Sequence, residues 1–193
     1  MMLHEGDKSV ILQHPGNPSG LYLGDNERGK IVEEWKVGNG LKLTGFAPES
    51  KFAQITTQRS FLGISDDSIF RIDPRIPGDK ITDVKKYASD YRFSALSTTE
   101  DKCIAVASRT GKIRLYDKVG GRAKACVPTL EEPVNDLDVS ADGHWILATC
   151  NTYLLLVDAF KRDQVSGFKY GFEKDAKPLP KCLQLKYEKL CSF

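Results

Sequence analysis

The chain has no long hydrophobic run, no closely paired cysteines and no excess of either charge, and each absence removes a class of protein. No apolar stretch approaches the ~20 residues of a bilayer-spanning helix; YLLLV at 153–157 represents the longest. The amino terminus, MMLHEGDKSV, lacks the apolar core of a secretory signal. Lys and Arg number 28 against 26 Asp and Glu, so the net charge of +2 leaves no electrostatic footprint for nucleic acid. The five cysteines, at 103, 126, 150, 182 and 191, are odd in number and form no C-x-x-C pair. A disulfide framework and a zinc site are therefore not expected, and a reducing, cytosolic setting is. There is no N-x-S/T sequon, because Asn17 precedes Pro18.

Catalytic signatures are missing too. No G-x-S-x-G occurs, and Ser65 and Ser108 end strands, where a hydroxyl serves the turn backbone. Gly38-Asn39-Gly40 and Gly120-Gly121 are turns without a following helix to present its N-terminus to phosphate. His4, His14 and His144 fall in polar or turn segments and read as solvated. No enzymatic activity, cofactor or metal is expected.

What is present is a repeated phrase. Residues 61–73 (FLGISDDSIFRID), 104–117 (IAVASRTGKIRLYD) and 141–158 (ADGHWILATCNTYLLLVD) each join two apolar strands through a polar turn and end in Asp. The terminal aspartates Asp73, Asp117 and Asp158 lie 44 and 41 residues apart, and GLYLGD places Asp25 a further 48 upstream. A period of roughly 40–45 residues with four strands per unit is that of a WD-type β-propeller blade. The fold class is thus all-β: an incomplete WD-repeat-like propeller of about three full four-stranded blades plus partial ones. The blades fall roughly at 1–40, 41–90, 91–130 and 131–177, with the start of a further blade at 178–193.

The best unit supplies strand a from 134–140, b from 145–150, c from 153–158 and a weak d within 164–170. The unit before it uses 91–97, 103–108, 112–117 and 121–127. The earlier one uses KFAQIT (51–56), 60–65 and 68–73, with an outer strand inside 78–90, where 82–90 has some helical character. SVILQ, GLYLGD and KIVEEWKV read as strands b, c and d of the first blade, and PKCLQLKYE (180–188) as strand a of the next. On the middle strands, Leu62, Ile64, Ile104, Val106, Ile113, Leu115, Trp145, Leu147, Leu154 and Leu156 are the expected core.

The phrases DNERGKIVEEWKV (25–37), KFAQITTQRSFLGISDDSIFRIDPR (51–75), IAVASRTGKIRLYD and SADGHWILATCNTYLLLVD, in this order, carry a resemblance. The chain resembles the C-terminal WD-repeat domain of the fungal vacuolar import and degradation protein twenty-seven family over roughly residues 20–188. The resemblance implies a cytoplasmic propeller, with the nucleus as a second compartment, that binds other proteins. It also implies a role in protein catabolism, delivering a surplus gluconeogenic enzyme to the vacuole. The family's domain is longer and carries further blades, and the family usually has a second domain upstream. Missing blades or a parent chain are therefore expected to be needed for closure, and an inactive truncated fragment stands as an alternative.

The buried Asp–Ser/Thr–His–Trp tetrad of many WD repeats is absent. The residues before the terminal aspartates are Ile72, Tyr116 and Val157, and Gly143-His144 lies in an a–b turn. Two sites remain as candidates. All connections after strand c leave a propeller on one face, which would gather Arg75, Lys80, Lys118, Arg122, Lys124, Lys161 and Arg162 into a basic surface for an acidic or phosphorylated protein segment. Asp136 and Asp138, two apart on an innermost strand, share one side and would serve a metal-dependent hydrolase centred on the channel. The ends either pair 180–188 with 9–13 in a four-bladed ring or stay open; the open arc is preferred, and it should self-associate or bind chaperones.

Overall fold

The computed structural model describes residues 1–38, 40–88, 90–161, 165–173 and 176–183. They form four antiparallel four-stranded sheets, each in simple meander order. Blade 1 holds β1 (Met2–His4), β2 (Ser9–Leu12), β3 (Gly20–Asp25) and β4 (Lys30–Lys36). Blade 2 holds β5 (Gly45–Pro48), β6 (Phe61–Ile64), β7 (Ser68–Ile72) and β8 (Ile81–Lys86). Blade 3 holds β9 (Phe93–Thr98), β10 (Ile104–Ser108), β11 (Lys112–Tyr116) and β12 (Ala125–Pro128). Blade 4 holds β13 (Asp136–Val139), β14 (Trp145–Thr149), β15 (Leu154–Asp158) and β16 (Lys181–Leu183). This is an incomplete WD-like propeller. No strand of blade 1 pairs with one of blade 4 among the described residues.

Several strand assignments move. Met2–His4 supplies the inner strand of blade 1. The inner strand of blade 2 is Gly45–Pro48, while Ala53–Ile55 within KFAQIT is a 3-10 turn that leaves Phe52 and Ile55 exposed. The tract from Ile81 to Lys86 is a strand, without helix. In blade 4 the fourth strand is Lys181–Leu183, paired with β15, so this segment does not open a new blade; residues 184–193 lie outside the description. Within 164–170 the described residues, 165–170, form no strand d: Gly167–Tyr170 is a short helix, α1. Ser166 caps it by accepting from the Phe168 amide (3.3 Å), and Phe168 plugs the core between blades 3 and 4.

The repeated aspartate has a local cause. Asp25 accepts from the Glu27 amide (2.9 Å), Asp73 from the Arg75 amide (3.1 Å) and Asp158 from the Phe160 amide (3.0 Å). Each closes the turn after the third strand by bonding the backbone two residues on. Asp117 departs from the pattern and pairs with Lys124 (3.2 Å).

Hydrogen bonds join the blades along both faces of the arc. On one, a–b connections touch in succession: Gly6 N to Gln54 O (3.1 Å), Lys51 N to Thr99 O (3.0 Å) and Glu100 N to Ala141 O (2.9 Å). On the other, Leu43 N reaches Pro18 O (2.8 Å) and Phe93 N reaches Asp66 O (3.0 Å). Apolar packing lies between the sheets in three separate clusters, one for each pair of consecutive blades. The strands β6 and β10 are buried at every residue, which is why their sequences are apolar without alternation. Outer strands β4 and β8 carry the lysines and acids that protect a sheet edge.

The expected core divides. Leu62, Ile64, Ile104, Val106, Ile113 and Leu115 are buried. Trp145, Leu147 and Leu154 are instead 39%, 38% and 39% exposed, and Leu156 is half-buried. Their neighbours Ile146, Ala148, Leu155 and Val157 point at blade 3 and are sealed. Alternation along a strand puts the other four on the far side of blade 4, where no further sheet is described.

Candidate functional site

The connections after the third strands run over 73–80, 117–124 and 159–180, at the same ends of their sheets as the a–b connections. Their cations are unequal. Arg75 grips Asp73 with two bonds, Nε to Oδ1 (2.9 Å) and an Nη to Oδ2 (2.7 Å), and this hydrogen bonding holds the Asp73 carboxyl below its usual range. Lys80 donates to the Pro74 and Ile76 carbonyls (2.9 and 2.6 Å), so its ammonium closes its own loop. Lys124 is taken by Asp117. Among the described residues, Lys118, Arg122 and Lys161 have no ion-pair partner. Arg162 lies outside the described residues.

Lys118 borders a cleft of about 490 Å³ between blades 2 and 3, lined also by Arg71, Thr82, Asp83, Val84, Val119 and Gly120. Residues the sequence did not single out build its floor. Arg71 donates to Glu49 (2.8 Å) and pairs with Asp83, while buried Glu49 also accepts from Ser60 (2.9 Å) and Gln58. The Arg71 Nε is buried without a hydrogen-bond partner among the described residues. Beneath the loop, Tyr87, Tyr91, Phe93 and Tyr116 cluster with ring centroids 5.3–5.9 Å apart, and the Arg114 guanidinium lies 3.8 Å over Tyr91. Burial pushes the Tyr87 and Tyr116 phenols upward, so both stay neutral. Tyr87 donates to Gly121 O (3.2 Å), fastening blade 2 to the loop that carries Lys118 and Arg122. The spacing Y-x-x-x-Y-x-F at 87–93 was the sequence signal for this cluster.

Asp136 and Asp138 do share one side of β13, across from Thr149 and Leu147. Asp138 is reached by the Lys51 ammonium and by the Ser97 hydroxyl (3.1 Å). Burial pulls its carboxyl up, but the Lys51 hydrogen bond and charge, with help from Val139 and Ser97, hold it below the usual range. An ammonium thus supplies the positive charge that a metal would bring. Asp136 accepts from the Leu137 amide (2.8 Å). Among the described residues no three His, Cys, Asp or Glu side chains are placed to hold a metal ion.

His14 is exposed as expected, but the other two histidines differ from expectation. His4 is buried beside Phe61, with its ring nitrogens near Ser9 Oγ (3.3 Å) and Arg59 O (3.0 Å). His144 is sandwiched between Trp145 and Phe160, with centroids 4.8 and 4.7 Å away, and faces Asp158 at 3.2 Å. His4 ends β1 and meets Phe61 edge to face, whereas His144 precedes β14 and stacks on its two aromatic neighbours. Cys103 and Cys150 are buried thiols pushed upward by desolvation, unsuited to nucleophilic work. No helix among the described residues is long and apolar enough to cross a membrane.

Comparison with known proteins agrees with this architecture. A family profile described as the VID27 C-terminal WD40-like domain matches residues 1–193. The vacuolar import and degradation protein 27 of Schizosaccharomyces pombe is 47% identical over 191 residues, covering 96% of this chain and 24% of that protein. Its Saccharomyces cerevisiae namesake is 40% identical over 176 residues, covering 90% and 22%. The chain therefore spans about a quarter of the length of these relatives. Among solved structures, the Neurospora crassa Pan2 WD40 domain superposes with a TM-score of 0.58 at 15% identity, over 81% of this chain and 44% of that one, a likeness of fold. With the profile matching from first residue to last, the chain belongs to the VID27 C-terminal WD40-like family.

Proposed function

We propose that the chain is a non-catalytic, cytoplasmic scaffold for protein partners within vacuolar import and degradation of surplus metabolic enzymes. Its docking point is the loop 117–124 and the cleft beside it. The observation that carries this reading is the contrast among the seven cations. Arg75, Lys80 and Lys124 are spent on their own loops, whereas Lys118 and Arg122 remain available on a loop fastened by Tyr87. A rigid support loses little entropy when a partner binds. Two free cations beside a polar cleft suit a glutamate- or aspartate-rich segment, or a phosphorylated one. The pathway is carried over from the names of relatives about four times longer, and the scaffold role rests on the fold.

The test is fluorescence anisotropy with a labelled glutamate-rich peptide. Replacing Lys118 and Arg122 by Glu should weaken binding about tenfold or more at low salt and less at high salt. The Arg75→Glu change should matter little. Equal effects of the two variants, or binding indifferent to salt, would remove the reading.

A further inference from the structure

The connection between the first two strands of blade 2 is longer than its counterparts. It runs over 49–60, twelve residues, where the other blades use four or five. Its backbone is fixed on both flanks: Gly6 N of blade 1 bonds Gln54 O (3.1 Å), and Lys51 N bonds Thr99 O of blade 3 (3.0 Å). Within it, Ala53 N bonds Ser50 O (2.9 Å), Thr56 N bonds Ala53 O (3.0 Å), and the Ala53 side chain is buried. This well-held turn nevertheless keeps Phe52 and Ile55 47% and 59% exposed. Three apart across a 3-10 turn, the two fall on one side. They belong to a connection of a blade packed on both neighbours, so sheets stacked beyond either end of the arc would leave them bare.

The charges of the same connection are neutralised internally. Lys51 pairs with Asp138, Arg59 with Glu5, and Glu49 with Arg71 (2.8 Å). What the connection offers outward is therefore apolar. Its root is continuous with the cleft, because Glu49, which Gln58 and Ser60 also reach, holds the Arg71 that lines the cleft beside Lys118. The apolar pair and the cations Lys118 and Arg122 thus stand on one face of the arc. The connection springs from β5, the inner strand, and the cleft borders β8, the outer one, three strand spacings away. At ~4.8 Å each that is about 14 Å, a span that about four or five extended residues cover.

We infer that the docking partner is a protein segment carrying a bulky apolar residue about five positions from its acidic run. The acids meet Lys118 and Arg122, and the apolar side chain covers Phe52 and Ile55. The inference rests on the docking loop proposed above and names what the segment bound there must contain. An apolar anchor on a rigid turn adds affinity at little ordering cost. An anionic membrane is the competing occupant, and charge disfavours it. A bilayer would also press on the exposed Asp7, Glu100, Asp101 and Asp142 of the neighbouring turns, which a short segment avoids.

Anisotropy with three labelled peptides tests it: one glutamate-rich, and two that add a leucine, either adjoining the acidic run or about five residues from it. The distant leucine should tighten binding about tenfold, and the adjoining one should not. Phe52→Ser with Ile55→Ser alters exposed side chains, so circular dichroism should stay unchanged. That double variant should abolish the gain at low and high salt alike while leaving the glutamate-only Kd as it was. A glutamate-only peptide that binds with no gain from leucine would overturn this inference alone. No binding of the glutamate-only peptide would remove the docking loop and this inference with it. A gain that survives the double variant, or that ignores the spacing, would also overturn it. So would co-sedimentation with phosphatidylserine vesicles that the double variant loses, which would assign the pair to a membrane.

Discussion

Blades 3 and 4 are written in nearly the same alphabet but are buried differently. The middle strands of blade 3, IAVAS and KIRLY, are covered on both sides, by blade 2 and by blade 4. Those of blade 4, WILAT and LLLVD, alternate buried residues with exposed or half-buried ones along their whole length. The difference lies not in propensity but in company. A blade's stability is a sum of its own pairing and its contacts with neighbours, so the same residue type is worth more in blade 3 than in blade 4.

The largest effect should come from the plug that joins the two. Phe168 fills the space between blades 3 and 4 from the tip of α1, and Phe168→Ala should cost about 3–5 kcal/mol in urea unfolding. A loss below about 1 kcal/mol would mean that the α1 loop is not part of the shared core. Next comes the comparison itself. Leu115→Ala in blade 3 removes a sealed side chain and should cost about 2–5 kcal/mol, whereas Leu147→Ala in blade 4, measured at concentrations where the chain is monomeric, should cost about 0.5 kcal/mol. Equal costs would break the contrast.

The repeat in the sequence made strands b and c legible, because continuous apolar runs and turn aspartates mark them without any knowledge of neighbours. The inner strands were harder. GFAP carries only Phe46 and Ala47 as apolar signal, whereas KFAQIT alternates like a strand yet folds as a turn in which the Thr56 hydroxyl donates to Ala53 O (2.7 Å). The helix Gly167–Tyr170 depends on Ser166, on Gly167, where a side chain would collide with Phe172, and on Gly171, which packs on the Lys124 carbonyl with φ of 67°. The Gly171–Lys124 approach lies too far apart in the chain to read from spacing. Which side of Trp145 would be bare was equally illegible, since alternation fixes the two sides of a strand but not which has a neighbour. At the candidate site, position suggested seven cations, of which Arg162 lies outside the described residues, but the partners of the others needed loop geometry. Asp117 and Lys124 meet across seven residues, and Lys80 turns back on Pro74 and Ile76.

Smaller effects sharpen the comparison. Ser166→Ala removes the cap of α1 and should cost about 1 kcal/mol, loosening the junction of blades 3 and 4 without opening blades 1 and 2. The least effect is electrostatic. The Asp138 carboxyl is held low in the folded chain, so it adds stability above the ordinary carboxylate range and loses it as pH falls through its depressed native value. Lys51→Met should therefore flatten the fall in the urea midpoint between neutral pH and about pH 3. An unchanged acid limb would show that the Lys51–Asp138 bridge across blades 2 and 4 adds nothing.

Amide hydrogen exchange on the dilute, monomeric chain measures the central contrast most directly. The account predicts that Ile104–Ser108, inside a blade covered on both sides, exchange only through global unfolding. Trp145–Thr149, in a blade covered on one side, should exchange through a smaller opening and faster. Equal protection of the two strands at monomer concentrations would contradict it.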